Sequence, residues 1–360
     1  MAYINVPCEG LKAFLEQLFE KCGFSDAESR DIVDVLITAD LFGIESHGVS
    51  RLIRYYRALK EGIIDPSARA HLISSTAISR VYDAPLTMGQ VVAKNAMREA
   101  IDMAKQFGVG CVCVRNSNHY GIAGYYTLMA EKEDLLGISM TNTEAIAIPT
   151  GGRKAMLGTS PIALCMPAEP TPFWYDAATT VVTRGKLEVY NKRSHPLVDG
   201  WAADEAGKPC ADAARVIDNI IGKKGGGIFP LGGAVENTGS HKGYGLGVIV
   251  ELFTAIFASG TTAPHVRNSG AGDTSFSMWA IDYGMFGDKK DIKDRFSNLL
   301  RELRESPLAE GSERIYTHGE KEFISREKIL SAGVPVNDVT LAEMRDIGLE
   351  KGVALDDYIC

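Results

Sequence analysis

The 360-residue sequence predicts an α/β protein, a helical lobe followed by alternating strands and helices that lack the dinucleotide site of the usual doubly wound kind. Three observations carry this reading. Residues 1–70 show only helical periodicity. From residue 71 onward, short apolar strands alternate with amphipathic helices and polar loops. Finally, no strand runs into a Gly-x-Gly-x-x-Gly turn. The nearest glycine cluster, Gly243, Gly245 and Gly247, has the wrong spacing and follows a polar loop.

Leu11, Phe14, Leu15, Leu18, Phe19 and Cys22 share one helical face over residues 9–22, and Gly23 ends that helix. Ser25-Asp26-Ala27-Glu28 has the pattern of a capping box, with Ser25 at the N-cap and Glu28 three residues on. The helix that follows uses Ile32, Val33, Leu36, Ile37 and Ala39 and closes near Gly43. A third helix is expected to start within residues 46–50 and run to Lys60. Residues 71–81 alternate and are β-rich, so one or two strands are expected there. Residues 87–107 read as a long amphipathic helix and 109–114 as an apolar strand. Residues 115–120 are polar and turn-like, Gly121 opens a helix that runs to Ala130, and residues 135–140 form a strand ending in Thr141-Asn142-Thr143. Strands are expected at 162–166, 173–176 and 275–283, and helices at 184–192, 292–305, 325–332 and 341–351. Residues 200–212 read as a long loop, 246–258 as a buried helix, and 260–274 as a mobile loop.

A net charge of −8 argues against nucleic acid or an anionic membrane as a partner. The first residues lack a basic segment followed by an apolar one, so no secretory signal is expected, and the longest apolar stretch is broken by Glu251. The seven cysteines, Cys8, Cys22, Cys111, Cys113, Cys165, Cys210 and Cys360, form no framework, which fits a reducing, cytoplasmic compartment. Cys111 and Cys113 lack a second ligand pair at zinc spacing and read as core thiols; no metal is expected. P-loop, His-Glu-x-x-His and Gly-x-Ser-x-Gly patterns are absent.

Three polar clusters remain: Glu45 to Arg51, Arg115 to Gly121, and Ser240 to Gly245. In the first, His47 precedes Arg51 by four residues. If this stretch is helical, the two share a face with Cβ atoms roughly 6 Å apart. A proton-transfer group beside a bidentate carboxylate clamp suits an enzyme working on a small 2-hydroxy or 2-oxo acid. The plainer reading is a surface helix with Ser46 as its N-cap and a chance histidine among Arg51, Arg54 and Arg57. For Lys242-Gly243 at a helix start, a pyrophosphate site competes with an ordinary solvated loop charge.

Taken together, these clusters resemble the malate/L-lactate dehydrogenase family that is unrelated to the doubly wound dehydrogenases and includes ureidoglycolate and sulfolactate dehydrogenases, diketogulonate reductase and cyclic-imine acid reductases. The resemblance covers roughly residues 10–325. It rests on Ser46-His47-Gly48 with Arg51, Asn116 to Gly121, Thr141-Asn142-Thr143, Gly158 to Pro161, Asp176 to Thr180 followed by Arg184-Gly185-Lys186, Gly200-Trp201-Ala202, and His241 to Leu246. Departures from the family's usual pattern are Ala177 to Thr180 for Met-Ala-Thr-Ser, Ser160 for a frequent Asn, and His318-Gly319-Glu320 for Pro-Gly-Glu.

The resemblance implies an α/β protein of the α+β type with a mixed, largely antiparallel central sheet, not a doubly wound Rossmann sheet, and a homodimer with its active site near the interface. It also implies a helical lobe over 1–75 joined by C-terminal helices at 325–360, with one or two interleaved sheet lobes over 76–324. The implied activity is NAD(P)-dependent interconversion of a 2-hydroxy acid and its 2-oxo acid. Malate is the first choice of substrate; lactate, ureidoglycolate, sulfolactate or a cyclic-imine acid are the alternatives, and a non-catalytic cofactor-binding relative is the alternative of another class. His47 is the first candidate for acid/base work, with Ser46 and Asp176 orienting it and His119 competing for the role. Arg51 and Thr159 are implied for substrate, and Gly121, Asn142, Thr143, Ala177, Thr179, Lys242, Gly243, Gly319 and Glu320 for cofactor. NAD is expected without excluding NADP, because Lys192 and Arg193 read as cations at a helix C-terminus as readily as a 2′-phosphate site.

Overall fold

The computed structural model describes residues 2–266 and 272–359. Residues 267–271, within the expected mobile loop, and Cys360 lie outside the described residues. The chain opens with strand β1 (Tyr3–Val6), then α1 (Cys8–Lys21) and α2 (Asp26–Leu41). Leu11, Phe14, Leu15, Leu18 and Phe19 of α1 are all buried, as their spacing requires. The capping box forms as read: the Glu28 amide donates to the Ser25 hydroxyl, and the Ser25 amide donates to the Glu28 carboxylate at 3.0 Å.

The third helix is shorter than expected. Two 3₁₀ turns, Glu45–His47 and Val49–Arg51, precede α3 (Leu52–Lys60), so His47 and Arg51 do not lie on one α-helix. Gly48 separates the turns with extended backbone (φ −84°, ψ −148°). A Cβ at Gly48 would collide with the Asp40 carboxylate, so the chain can cross there only without a side chain.

The sheet region follows in order: β2 (His71–Ser75), β3 (Ser79–Asp83), α4 (Gly89–Phe107), β4 (Val109–Ser117), α5 (Ala123–Glu131), β5 (Leu136–Thr141), β6 (Ile162–Met166), β7 (Phe173–Ala177), α6 (Arg184–Lys192), β8 (Ala202–Ala203), α7 (Ala213–Ile221), β9 (Gly227–Ile228), α8 (Ser240–Glu251), a π-helical turn at Leu252–Ile256, and β10 (Thr274–Ile281). The seven-stranded sheet runs β2-β3-β4-β10-β5-β6-β7. Only β3 and β4, joined by α4 as crossover, pair in parallel among its described strands; every other pair is antiparallel. This is the mixed, largely antiparallel sheet that was expected, and it is not doubly wound. β4 runs three residues further than the apolar pattern suggested, because Arg115 pairs with Asp83 and Ser117 with Thr274.

The chain closes with α9 (Lys289–Glu305), α10 (Glu320–Ala332), β11 (Val334–Asn337), α11 (Asp338–Lys351) and α12 (Asp356–Ile359). β11 pairs antiparallel with β1, and the core of α1 and α2 takes in Val334, Leu341, Met344 and Ile347 from the C-terminal end. A second core lies under α4 and α5 against β4 and β10. α8 is not the buried helix expected from its composition: Leu246, Val248, Ile249, Leu252, Ile256 and Phe257 are exposed on it and on the π-turn. No helix among the described residues is long and apolar enough to cross a membrane.

Candidate active site

Antiparallel alternation brings the ends of β4, β5 and β7 and the starts of β6 and β10 to one end of the sheet, since Thr274 faces Ser117, Phe276 faces Thr141 and Ile162 faces Ala177. Loops leaving a rigid sheet at a common end are where ligand groups converge. Here they meet the 3₁₀ turns that carry His47. The result is a cavity of about 240 Å³ whose lining includes Ser46, His47, Arg51, His119, Gly121, Asn142, Thr143 and Thr159. A roomier cleft of about 390 Å³ beside α2 and α4 holds no histidine, and its Arg98 is paired with Asp31 at 2.8 Å.

The turn bearing His47 is fixed from beneath. Buried Asp40, in the last turn of α2, accepts the Val49 amide at 2.8 Å. Burial pushes the Asp40 carboxyl up to about 8. Ser46 Oγ lies 2.9 Å from His47 Nδ1, and Arg51 Nε donates to the Ser46 carbonyl. The Arg51 bond brings its guanidinium back toward His47 although no helix joins them. Burial, then the positive charges of Arg51 and Arg54, lower His47 to about 4.

His119 follows the end of β4. Its ring stacks on His47 with centroids 5.5 Å apart and planes inclined by 27°. Its Nδ1 lies 2.6 Å from the hydroxyl of buried Tyr55 and accepts the Gly121 amide at 3.4 Å. An acceptor at Nδ1 places the proton of the neutral ring on Nε2. Burial, Arg54, His47 and Arg51 hold His119 well below the usual histidine range. Both imidazoles are therefore neutral at pH 7, one with a tautomer that Ser46 can set either way, since a hydroxyl can donate or accept.

The remaining expected residues divide. Thr159 donates its amide to Thr143 Oγ1 at 3.0 Å, and Thr179 donates its amide and hydroxyl to the Thr159 carbonyl, at 2.9 and 3.1 Å. These three residues tie the loops after β5 and β7 and before β6 into one layer. Asn142 reaches the cavity, but its side chain is spent internally: it donates to the Thr261 carbonyl and accepts the Ser275 amide. Asp176 accepts the Gly124 amide at 2.7 Å and so caps α5, whose own N-cap residue has no side-chain bond. The Asp176 carboxylate thus bonds this amide and not an imidazole, and burial raises its carboxyl to about 6. Ala177 ends β7 beside it.

Lys242 is exposed in the first turn of α8, a helix start with no side-chain cap, preceded by Gly239 in the left-handed region. The Ser240 and Lys242 amides donate to the Val235 and Gly239 carbonyls at 3.4 and 2.9 Å, so the exposed lysine is the group this helix start offers a pyrophosphate. A Cβ at Gly243 would strike the Leu231 backbone, so this glycine lets α8 pack closely, and Gly247 brings the same helix against Thr179. An exposed lysine beside a helix start suits the pyrophosphate of a nicotinamide dinucleotide, although neither Lys242 nor Thr179 lines the cavity. Gly319 and Glu320 do not line that cavity. Gly319 lies against the Trp174 backbone (φ +97°), while Glu320 is buried and bonds Thr317, Arg304 and Arg314. Among the described residues, no group of three or more His, Cys, Asp or Glu is arranged to hold a metal ion.

Sequence reasoning assigned no site role to Tyr55, Arg54, Glu144, Thr183, Arg184 or Asp273, yet Tyr55 holds His119 and the others line the cavity. Tyr55 and Arg54 had a usable signal, falling one turn after Arg51 on a short helix that already carried the clamp. Glu144 and Asp273 lie on irregular loops that periodicity cannot place.

A model of the malate/L-lactate dehydrogenase family matches residues 6–345. A malate dehydrogenase of Pyrococcus abyssi is 39% identical over 353 residues, 98% of this chain and 96% of that protein. An L-sulfolactate dehydrogenase of Methanocaldococcus jannaschii is 35% identical over 98% of each chain. The crystal structure of malate dehydrogenase from Entamoeba histolytica has a TM-score of 0.93 at 33% identity, covering 98% of this chain and 99% of that one. The chain belongs to the malate/L-lactate dehydrogenase family and is an oxidoreductase, a dehydrogenase acting on a hydroxy acid with a nicotinamide cofactor.

Proposed function

We propose that the protein interconverts malate and oxaloacetate with NAD, as a cytoplasmic homodimer. The observation that carries this reading is the stack of two neutral imidazoles beside Arg51 in one cavity. Arg51 Nη atoms are free of its backbone bond to Ser46 and bind the carboxylate next to the reacting carbon. His47, its tautomer set by Ser46, takes the hydroxyl proton of malate on Nε2. His119, held as the Nε2–H tautomer by Tyr55 and Gly121, donates a hydrogen bond to the same oxygen as carbonyl character develops. A nicotinamide dinucleotide, when bound, would supply the hydride acceptor for C2, while these residues hold the carboxylate and move the hydroxyl proton. Lys242 would hold the pyrophosphate, and Thr143, Thr159 and Thr179 tie together the loops that border the cavity.

For the cofactor, Lys192 lies in the last turn of α6 and Arg193 is its C-cap, where cations offset the helix dipole without a ligand. That supports NAD. All six described cysteines are free thiols, in keeping with a reducing compartment. The stripe of exposed apolar side chains on α8 supports a second copy of the chain as the partner. A sulfolactate reading stands second, favoured by the Methanocaldococcus jannaschii relative.

The test is oxidation of NADH and NADPH against oxaloacetate, sulfopyruvate, pyruvate and 2-oxobutyrate. Oxaloacetate with NADH should give the highest kcat/KM. A preference for sulfopyruvate would replace the substrate, and tight NADH binding without any turnover would replace the enzyme reading by a non-catalytic one.

A further inference from the structure

We propose that Arg54 binds the second acid group of the substrate and thereby makes the site selective for dianionic 2-hydroxy acids over monocarboxylates. The inference rests on the proposed reaction at His47 and Arg51. Among the described residues, three guanidinium groups line the cavity: Arg51, Arg54 and Arg184. Arg184 is paired with Glu188 at 3.0 Å, and Arg51 gives its Nε to the Ser46 carbonyl. Arg54 alone among the three has neither a hydrogen bond nor an ion pair with any described residue, and it is solvent-accessible at the cavity wall.

Its position suits the task. Arg54 follows Arg51 by three residues at the start of α3, so the two side chains leave neighbouring points of the same surface. Arg54 shares the cavity wall with His47, His119, Arg51 and Glu144 and its charge acts on each of them. It also lines an adjoining cavity of about 350 Å³ with His119, Asn118, Glu144 and Arg184, so a substrate extending past the imidazoles meets it. Glu144, facing both Arg54 and Arg184, has one carboxylate oxygen buried without a partner.

Charge complementarity then separates substrates. A monocarboxylate satisfies Arg51 and leaves Arg54 unmatched. A second carboxylate, or a sulfonate in its place, pairs with Arg54 and gains a charge-assisted bond. Malate and sulfolactate share this chemistry and lactate lacks it. Carboxylate and sulfonate differ in shape, and Arg54 by itself accepts both.

Binding to the NADH complex, followed by nucleotide fluorescence, tests this without turnover. The probes are oxamate, with one carboxylate, and tartronate, with two; oxaloacetate and sulfopyruvate kinetics distinguish the two dianion types. Wild type should bind tartronate more tightly than oxamate. Arg54→Gln should weaken tartronate about 100-fold and oxamate less than about threefold, and Arg54→Lys should restore roughly a tenth or more of the loss. Sulfopyruvate and oxaloacetate should lose kcat/KM together, mainly through KM. Equal affinity of wild type for the two probes, or equal weakening of both in Arg54→Gln, overturns the proposal. Absence of oxaloacetate turnover in wild type overturns the malate reading instead, and the probe ratio alone then decides for or against Arg54.

Discussion

His47 enters the cavity neutral because burial and two nearby guanidinium groups all disfavour its charged form. With a value of about 4 against about 6.5 in an unfolded chain, the unfolded state binds more protons in that window. This residue therefore costs stability as pH falls from about 6.5 to about 4. The same shift sets the pH profile. In malate oxidation, kcat/KM reports the free enzyme, so its acid limb should lie near pH 4 (the value of about 4 for His47) and not near the ordinary histidine range. A bound carboxylate offsets Arg51, so the limb of kcat should lie higher than that of kcat/KM. Arg51→Gln removes a cation and should move the kcat/KM limb upward. His47→Asn should lower kcat by roughly 100-fold or more with NADH binding retained. If His119→Asn removes the limb and His47→Asn leaves it, the two imidazoles have exchanged roles.

The unit that positions His47 is the end of α2 together with the two 3₁₀ turns, and Asp40 is its fastening. Its carboxyl, at about 8 in the fold and about 3.9 when unfolded, keeps a proton that the unfolded chain has released. The folded state binds more protons between those values, so stability falls as pH rises through them. Asp40→Asn preserves an oxygen acceptor for the Val49 amide and has no proton to lose. It should be more stable than wild type by about 1–3 kcal/mol at pH 8.5, with the gain shrinking as pH falls and vanishing toward about pH 4, as read by urea midpoints. A wild type with flat stability over this range would mean that Asp40 is ionised in the fold. This fastening was hidden in the sequence, because a single aspartate in a helical pattern gives no sign of a neighbour nine residues away. The capping box, β6 and α6 were legible because their signals are local and agree with one another. Residues 115–117 look like a loop along the chain because their polar side chains belong to strand pairings set by β3 and β10. α7 escaped notice, although Val216 and Ile220 bury one face behind an Asp212 cap, because the preceding glycine- and proline-bearing segment dominates the local pattern.

At the scale of the whole molecule, the sheet end and the N-terminal turns had to be assembled before the site existed, which is why Arg54, Glu144 and Asp273 escaped a reading along the chain. The resemblance supplied the mixed sheet that periodicity could not choose over a doubly wound one. It also implied a dimer, and the structure offers a surface for it. Leu246, Ile249, Leu252, Ile256 and Phe257 are exposed along α8 and its π-turn, with Ile256 at 54% and Phe257 at 48% of full exposure, too contiguous to be scattered surface side chains. That surface bears on the site. Gly247 packs α8 against Leu157 and Thr179, and Glu251 accepts the Ala263 amide, anchoring the segment that leads to Val266 at the cavity. Covering the stripe with a second copy should therefore steady both the cofactor wall and the cavity. Ile256→Glu places a charge where an apolar contact is expected and should convert a sedimenting dimer to monomer at micromolar protein, with kcat/KM lowered about tenfold and helix content intact. A variant that remains dimeric removes α8 from the interface. A monomer with full activity leaves the interface in place and shows that catalysis does not depend on it.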